Sequence, residues 1–420
     1  MHLHSPVFSR RSMGQIAGGL GLSLALPSLE GRAAERRGAE RAKSLVTIFL
    51  GGAISQLESW DPHPGTPIGG ETKSLPTTIP GLEISDFYPR VAEQIHHLSV
   101  IRSLVSKEGD HERGAAAVKT GYRPEATLVY PALGAIVAHE RPNKQLQIPQ
   151  YISIGPIGFA SRAGYLGGEF DPYRVTAPGT SGGNLRSTVS DTRQQRRLDS
   201  LAVLSQQFAK GRKQQTQATL HQHTIDAALQ MMTSPQLKAF ELDEEPQSVR
   251  DAYGPTDFGR GCLVARRLLE TGVRSIELTL EGWDTHVENH AGQKSQAAIL
   301  DPALAMFLQE LASRDLLQST IVLVISEFGR TPKINPLDGR DHWPTGFSCL
   351  VGGGGLKSGL VIGATDPTGE NIQPTDPIEI PNLYATLLRQ LDIEFTKELI
   401  TPIGRPMKLC SGTPLDRLRA

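Results

Sequence analysis

The chain has 420 residues, 38% of them hydrophobic, and its 43 basic and 44 acidic side chains leave a formal charge of -1. That length can bury one large core or two ordinary ones, and the balanced charge shows no bias toward nucleic acid and argues against bulk polyanion binding. Cys262, Cys349 and Cys410 are too few and too scattered for a disulfide framework or a paired-thiol metal site, and their apolar or small neighbours mark them as buried thiols.

At the N-terminus, Ser9-Arg10-Arg11-Ser12-Met13-Gly14 sets paired arginines before an apolar stretch over residues 16–26. That stretch contains Gly18, Gly19 and Gly21 and stops at Pro27, so it is too short and too weakly apolar for a stable membrane span. With Ala33-Ala34 at its exit, residues 1–34 are expected to be a twin-arginine signal that directs the protein to the periplasm or the medium. A plain basic tail is the competing reading.

Ser44-Leu45-Val46-Thr47-Ile48-Phe49-Leu50, closed by Gly51-Gly52, has the pattern of a buried parallel strand. A short apolar run at 98–101 precedes an alanine-rich helical stretch from Gly114, and 130–140 reads as an amphipathic helix. Gly- and Pro-rich connections at 177–183 lead into a polar, glutamine-rich stretch of helical period from Thr192 to Met232, part of a largely helical insertion over 178–255 rather than a separate domain. Beyond it, 273–280 and 320–326 read as strands, and 260–270, 295–312 and 380–391 as helices. This alternation predicts an α/β fold whose central, mainly parallel sheet is covered on both faces, with 44–410 as one domain.

Two late strands each run into a loop rich in imidazole and carboxylate, where an α/β protein builds its site. The first loop carries Trp283-Asp284-Thr285-His286 and His290, and the second carries Glu327-Phe328-Gly329-Arg330 followed by Arg340-Asp341-His342-Trp343. Asp284, His286 and His290, joined by Asp341, His342 and Glu327, form a donor set that suits a divalent ion, zinc foremost, with manganese, calcium or iron as alternatives. Arg330 and Arg340 flank these residues and can fork onto a tetrahedral anion. In the competing reading the same polar groups cap helices and hydrogen-bond a buried turn around Trp283 and Trp343.

Leu50-Gly51-Gly52 through Trp60-Asp61-Pro62, Gly282-Trp283-Asp284-Thr285-His286, Glu327-Phe328-Gly329-Arg330-Thr331-Pro332 and Gly339-Arg340-Asp341-His342-Trp343-Pro344 resemble the exported bacterial family called domain of unknown function 1501. That family is similar in fold to the alkaline phosphatase and sulfatase superfamily. The resemblance implies an alkaline-phosphatase-like three-layer sandwich with an inserted helical cap and metal ligands at the carboxyl ends of the strands. It implies Asp284 as the first aspartate ligand, His286 or His290 in place of a histidine four residues on (where Glu288 stands), and His342 as the distant histidine. The superfamily's late Asp-His pair corresponds to Glu327-Phe328, and no aspartate follows the first strand before Asp61.

The superfamily's nucleophile opens a helix that carries Thr-Gly nine and ten residues later. Gly109-Asp110-His111-Glu112-Arg113-Gly114 runs here to Thr120-Gly121, which puts His111 at that position as nucleophile, metal ligand or general base. Asp110, His111 and Arg113 at a helix start also read as an anion-facing site, or else as an N-cap with two solvated neighbours. The Cys-x-Pro-x-Arg signature is absent, which disfavours a formylglycine sulfatase.

Two functions follow as expectations. One is an exported metal-dependent hydrolase of phosphate or sulfate esters, acting on a small anionic ester or a sulfated or phosphorylated polysaccharide. The other is a non-catalytic exported metal- and anion-binding protein. Changing Arg10 and Arg11 together to Lys is expected to strand the protein in the cytoplasm, as read by cell fractionation.

Overall fold

The computed structural model describes residues 42–179, 187, 189–210 and 220–419. The expected signal over 1–34 lies outside them. The long apolar runs become strands: β1 (Ser44–Gly51), β2 (Leu98–Val105), β3 (Tyr151–Ile154), β4 (Tyr173–Val175), β5 (Ser275–Glu281), β6 (Thr320–Ile325), β7 (Phe347–Gly353), β8 (Val361–Ile362) and β9 (Ile378–Glu379). They form one nine-stranded sheet in the order β8-β2-β7-β6-β1-β5-β3-β4, with β9 also paired to β2. β1 lies parallel between β5 and β6, whereas β7 runs antiparallel to both of its neighbours, β6 and β2. The sheet is thus mainly parallel, as the strand-helix alternation predicts.

Strands buried on both faces carry apolar side chains at successive positions, and here those side chains part between two cores. Val46, Ile48 and Leu50 of β1 and Val322 and Val324 of β6 join the core beneath helices α3 (Asp257–Thr271) and α4 (Asn289–Ser313). Leu45 and Phe49, with Ile321, Leu323 and Ile325, face the other way, onto α1 (His111–Thr120), α2 (Leu133–Glu140) and α5 (Ile380–Gln390). Three layers result. Within 178–255 the structure places helices Asp191–Ala209, His221–Thr233 and Gln247–Ala252, and the first of these has no buried residue. All three cysteines are buried free thiols.

Because β1, β2, β5 and β6 run the same way, their carboxyl ends share one edge of the sheet. β7, running against them, begins on that edge. A short antiparallel ribbon, Gly329–Arg330 with His342–Trp343, leads back toward the start of β7. Gly52 closes β1 at φ +105, and a Cβ there would meet the Asp284 backbone nitrogen at 2.6 Å, so the turn into the site demands glycine. Among the described residues no helix is long and apolar enough to cross a membrane.

Ile48, fully buried at the centre of β1, sits where both sheet neighbours and one helical layer meet. Ile48→Ala is expected to lower the free energy of unfolding by about 3 kcal/mol, read from the midpoint of chemical denaturation.

Candidate metal centre

Four segments of the shared edge supply the centre. Asp284 and His286 follow β5, Glu327 follows β6, His342 lies on the ribbon before β7, and His111 opens α1 after β2. Asp110 caps α1 by accepting the Arg113 backbone N–H at 3.0 Å, so the helix starts with His111 rather than at Gly114. The cap holds His111 at the mouth of the helix, with its ring turned inward onto Phe328 and His342.

Each imidazole is held by one nitrogen and offers the other. His111 Nδ1 lies 2.7 Å from Glu327 Oε1, His342 Nδ1 lies 2.7 Å from the Gly109 carbonyl oxygen, and His286 Nδ1 lies 3.0 Å from Asp341 Oδ1. These partners are acceptors, so each Nδ1 carries the hydrogen and each Nε2 a lone pair, a tautomer assignment made from the bonding. The three Nε2 atoms converge on Asp284. His286 Nε2 is 3.1 Å and His342 Nε2 3.5 Å from Oδ1, His111 Nε2 is 3.3 Å from Oδ2, and the Nε2 atoms of His286 and His342 are 2.9 Å apart. Four acceptors aimed at one point repel one another unless a cation lies between them. The His111 and His342 nitrogens stand 3.3 and 3.5 Å from the Asp284 oxygens, close to the roughly 3.3 Å spacing of ligands on an ion with bonds of about 2 Å.

A divalent ion fits this arrangement. The candidate ligand atoms of His111, Asp284 and His342 all lie within 4.8 Å of one another, and His111 Nε2 is buried with no hydrogen-bond partner. Ring nitrogens backed by a carboxylate or a carbonyl are the usual outer support of a metal-binding histidine. Asp284 and His286 stay partly open to solvent, while Glu327 is fully buried and also accepts the Gly52 N–H at 2.8 Å. The centre is therefore closed behind and open in front.

The electrostatics sort the rings. The hydrogen bond to Glu327 raises the His111 pKa against the opposing effect of burial. Burial lowers the His342 pKa, against the opposing effect of its bond to the Gly109 carbonyl. Burial would raise the Asp284 pKa, but the hydrogen bond and charge of Arg330 outweigh it and the carboxylate falls below its ordinary value. His286 holds Asp341 low through their hydrogen bond.

The remaining candidates are placed as follows. Arg330 is fully buried, and its fork reaches Asp284 Oδ1 at 2.5 Å, the carbonyls of Gly52, Ala53 and Arg340, and, at 3.5 Å, His286 Nε2. Arg340 is buried too, and all five of its N–H groups are engaged by Glu58 and the carbonyls of Thr331, Pro332 and Ile68. It has no donor left for an anion. Arg113 turns away to Glu108, with Nε–Oε2 at 2.7 Å. His290 stands apart, against the Phe87 ring and 3.4 Å from Thr72 Oγ1. The supports supplied by the Gly109 carbonyl, the Gly52 N–H and the Ser326 hydroxyl on Glu327 Oε2 escape a reading of the sequence, because backbone atoms and a lone serine carry no pattern.

Fold and site together define an α/β protein with a histidine-carboxylate centre at the carboxyl edge of a mainly parallel sheet. The chain belongs to the family described as protein of unknown function DUF1501, whose model matches residues 42–419. Among solved structures it is similar to Ps i-CgsB in complex with k-i-k-neocarrahexaose (10% identity, 84% of this chain and 73% of that one, TM-score 0.42). It is likewise similar to the PsFucS1 sulfatase from Pseudoalteromonas sp. (10%, 87% and 70%, 0.39) and to a TAB5 alkaline phosphatase variant with Mg bound in its M3 site (15%, 84% and 99%, 0.40). A comparison with curated proteins gives no match.

Replacing His111 or His342 by Ala is expected to abolish stoichiometric divalent metal by elemental analysis, while His290→Ala retains it. Metal affinity should fall as pH drops through the raised His111 pKa, because a proton then takes Nε2. The metal-free fold has the opposite dependence: the stabilisation from His111 protonated between Glu327 and Asp284 is full below the ring's ordinary pKa and is lost as pH rises through the raised one. Glu327→Gln should move the midpoint of zinc binding to lower pH in a competition titration.

Proposed function

We propose that the protein is an exported, metal-dependent hydrolase of phosphate or sulfate esters, with zinc as its ion and a small anionic ester or a sulfated or phosphorylated polysaccharide as its substrate. The observation that carries this reading is the convergence of three imidazole lone pairs on Asp284, each ring fixed by an acceptor on its far side. His111, Asp284 and His342 hold the ion, and the open front beside His286 leaves room for water and ester. A divalent ion bound there polarises an ester oxygen and makes water a nucleophile near neutral pH.

The chain's own residues have separable tasks. Glu327 orients the His111 ring, and Arg330 keeps Asp284 ionised while adding positive charge beside an anionic substrate. His286 is half exposed and backed by Asp341, so it can take a proton from the attacking water and return it to the leaving oxygen. The motif resemblance supplies the ester class.

A non-catalytic metal- and anion-binding role is the second reading. An imidazole rather than a hydroxyl at the nucleophile position, His111, and Phe328 in place of a histidine after Glu327 favour it. The two readings separate on His286→Ala, which under the hydrolase reading keeps its metal and loses about a hundredfold or more in kcat on phosphate or sulfate monoesters. A metal-loaded wild type that turns over neither class would leave the binding role standing.

A further inference from the structure

A groove runs along α1, the helix that His111 opens. Glu112, the residue after His111, and Phe159, whose ring lies parallel to the His111 ring with centroids 6.1 Å apart, both line a cavity of about 430 Å³. A second cavity of about 370 Å³ adjoins it and shares Leu128, Val129 and Arg162 as lining. The wall that carries Phe159 and Arg162 is rigidly held. Lys119 Nζ donates to the Phe159 carbonyl at 2.5 Å and to buried Glu277 at 2.9 Å, Ser161 Oγ donates to Glu277 at 2.5 Å, and the Arg162 carbonyl accepts the Ala132 N–H at 2.8 Å.

The charges lining these cavities separate into spent and free. Lys119 is committed to Glu277, Glu125 to Tyr130 and Arg405, and Asp171 to the Ala163 N–H. Glu112 and Arg162 are both exposed, and neither takes a partner among the described residues. One free carboxylate therefore lines the first cavity next in sequence to His111, and one free guanidinium stands where the two cavities meet. A lone Arg on a fixed wall at the junction of two cavities, with an unpaired carboxylate lining the first of them, matches a ligand charged at both ends and hydroxyl-bearing between.

We propose that Arg162 determines specificity by binding a second anionic group of the substrate, so that the groove selects esters carrying at least two anionic groups joined by a neutral, hydroxyl-bearing spacer. Glu112 accepts hydroxyl hydrogens from that spacer and repels a charge misplaced in the first cavity. This assignment rests on the hydrolase reading for its kinetic test and is independent of it in binding.

With the zinc-loaded protein and phosphate release as the readout, Arg162→Ala is expected to raise KM for glucose bisphosphate about tenfold, leave kcat in place and leave glucose monophosphate unaffected. Equal kinetics of variant and wild type on both esters would overturn the role of Arg162 while leaving hydrolysis intact. If the wild type releases phosphate from neither ester, phosphate-ester hydrolysis falls, and the groove is judged by binding alone. Sucrose octasulfate should then raise the melting temperature of the wild type well beyond the effect of inorganic sulfate, with the shift lost in Arg162→Ala and largely kept in Arg162→Lys. An equal shift in wild type and Arg162→Ala overturns the proposal.

Discussion

A carboxylate shut away from water must be satisfied by protein donors, and Glu327 is the place where that demand organises the molecule. Its oxygens take the Gly52 N–H, the His111 ring N–H and the Ser326 hydroxyl, which ties the ends of β1 and β6 to the first residue of α1. Local backbone follows from this. Gly52 has the left-handed conformation that turns its N–H inward, and a Cβ at Gly114 would press the Phe328 ring at 2.9 Å, so α1 reaches Glu327 only because that position is bare. The ring of His111 is oriented from behind, and its free nitrogen faces forward as a result.

Positive charge is distributed to match. Arg330 and Arg340, both fully buried, serve chiefly as clamps for backbone carbonyls in loops that have no regular structure to satisfy them. Arg340 ties the loop that joins the two ribbon strands to Glu58, in the segment that leaves β1. Arg330 alone also touches Asp284. The loops of the site therefore hold their shape through guanidinium-carbonyl contacts, and Asp284 and His342 inherit that rigidity.

Much of the fold was legible because strands buried on both faces cannot avoid long apolar runs, as at Ser44 to Leu50 and Ile321 to Ile325. The pairing of Asp284 with His342 was legible from two loops that each combined imidazole with carboxylate. His290 was not, because its four-residue spacing from His286 aligns the two only within one helix, and α4 starts at Asn289 after Glu288 turns the chain at φ 47. Arg340 looked like an anion fork because a sequence gives no sign of which arginine is enclosed by carbonyls. The contact of His111 with Glu327 spans 216 positions and belongs to tertiary structure alone.

The separations along the chain also bear on how the centre comes into being. Gly52 meets Glu327 across 275 positions, and His342 meets Gly109 across 233. The reversed strand β7 adds to this, since it presents His342 on the way into the sheet while the parallel strands present their residues on the way out. No short fragment of the chain contains the centre, whose residues run from Gly52 to His342. Loops this long close late, after the sheet that carries their ends has condensed, so the ability to capture an ion arrives only with the completed fold. Under the proposed function, metal uptake would serve as a clock for the last stage of folding.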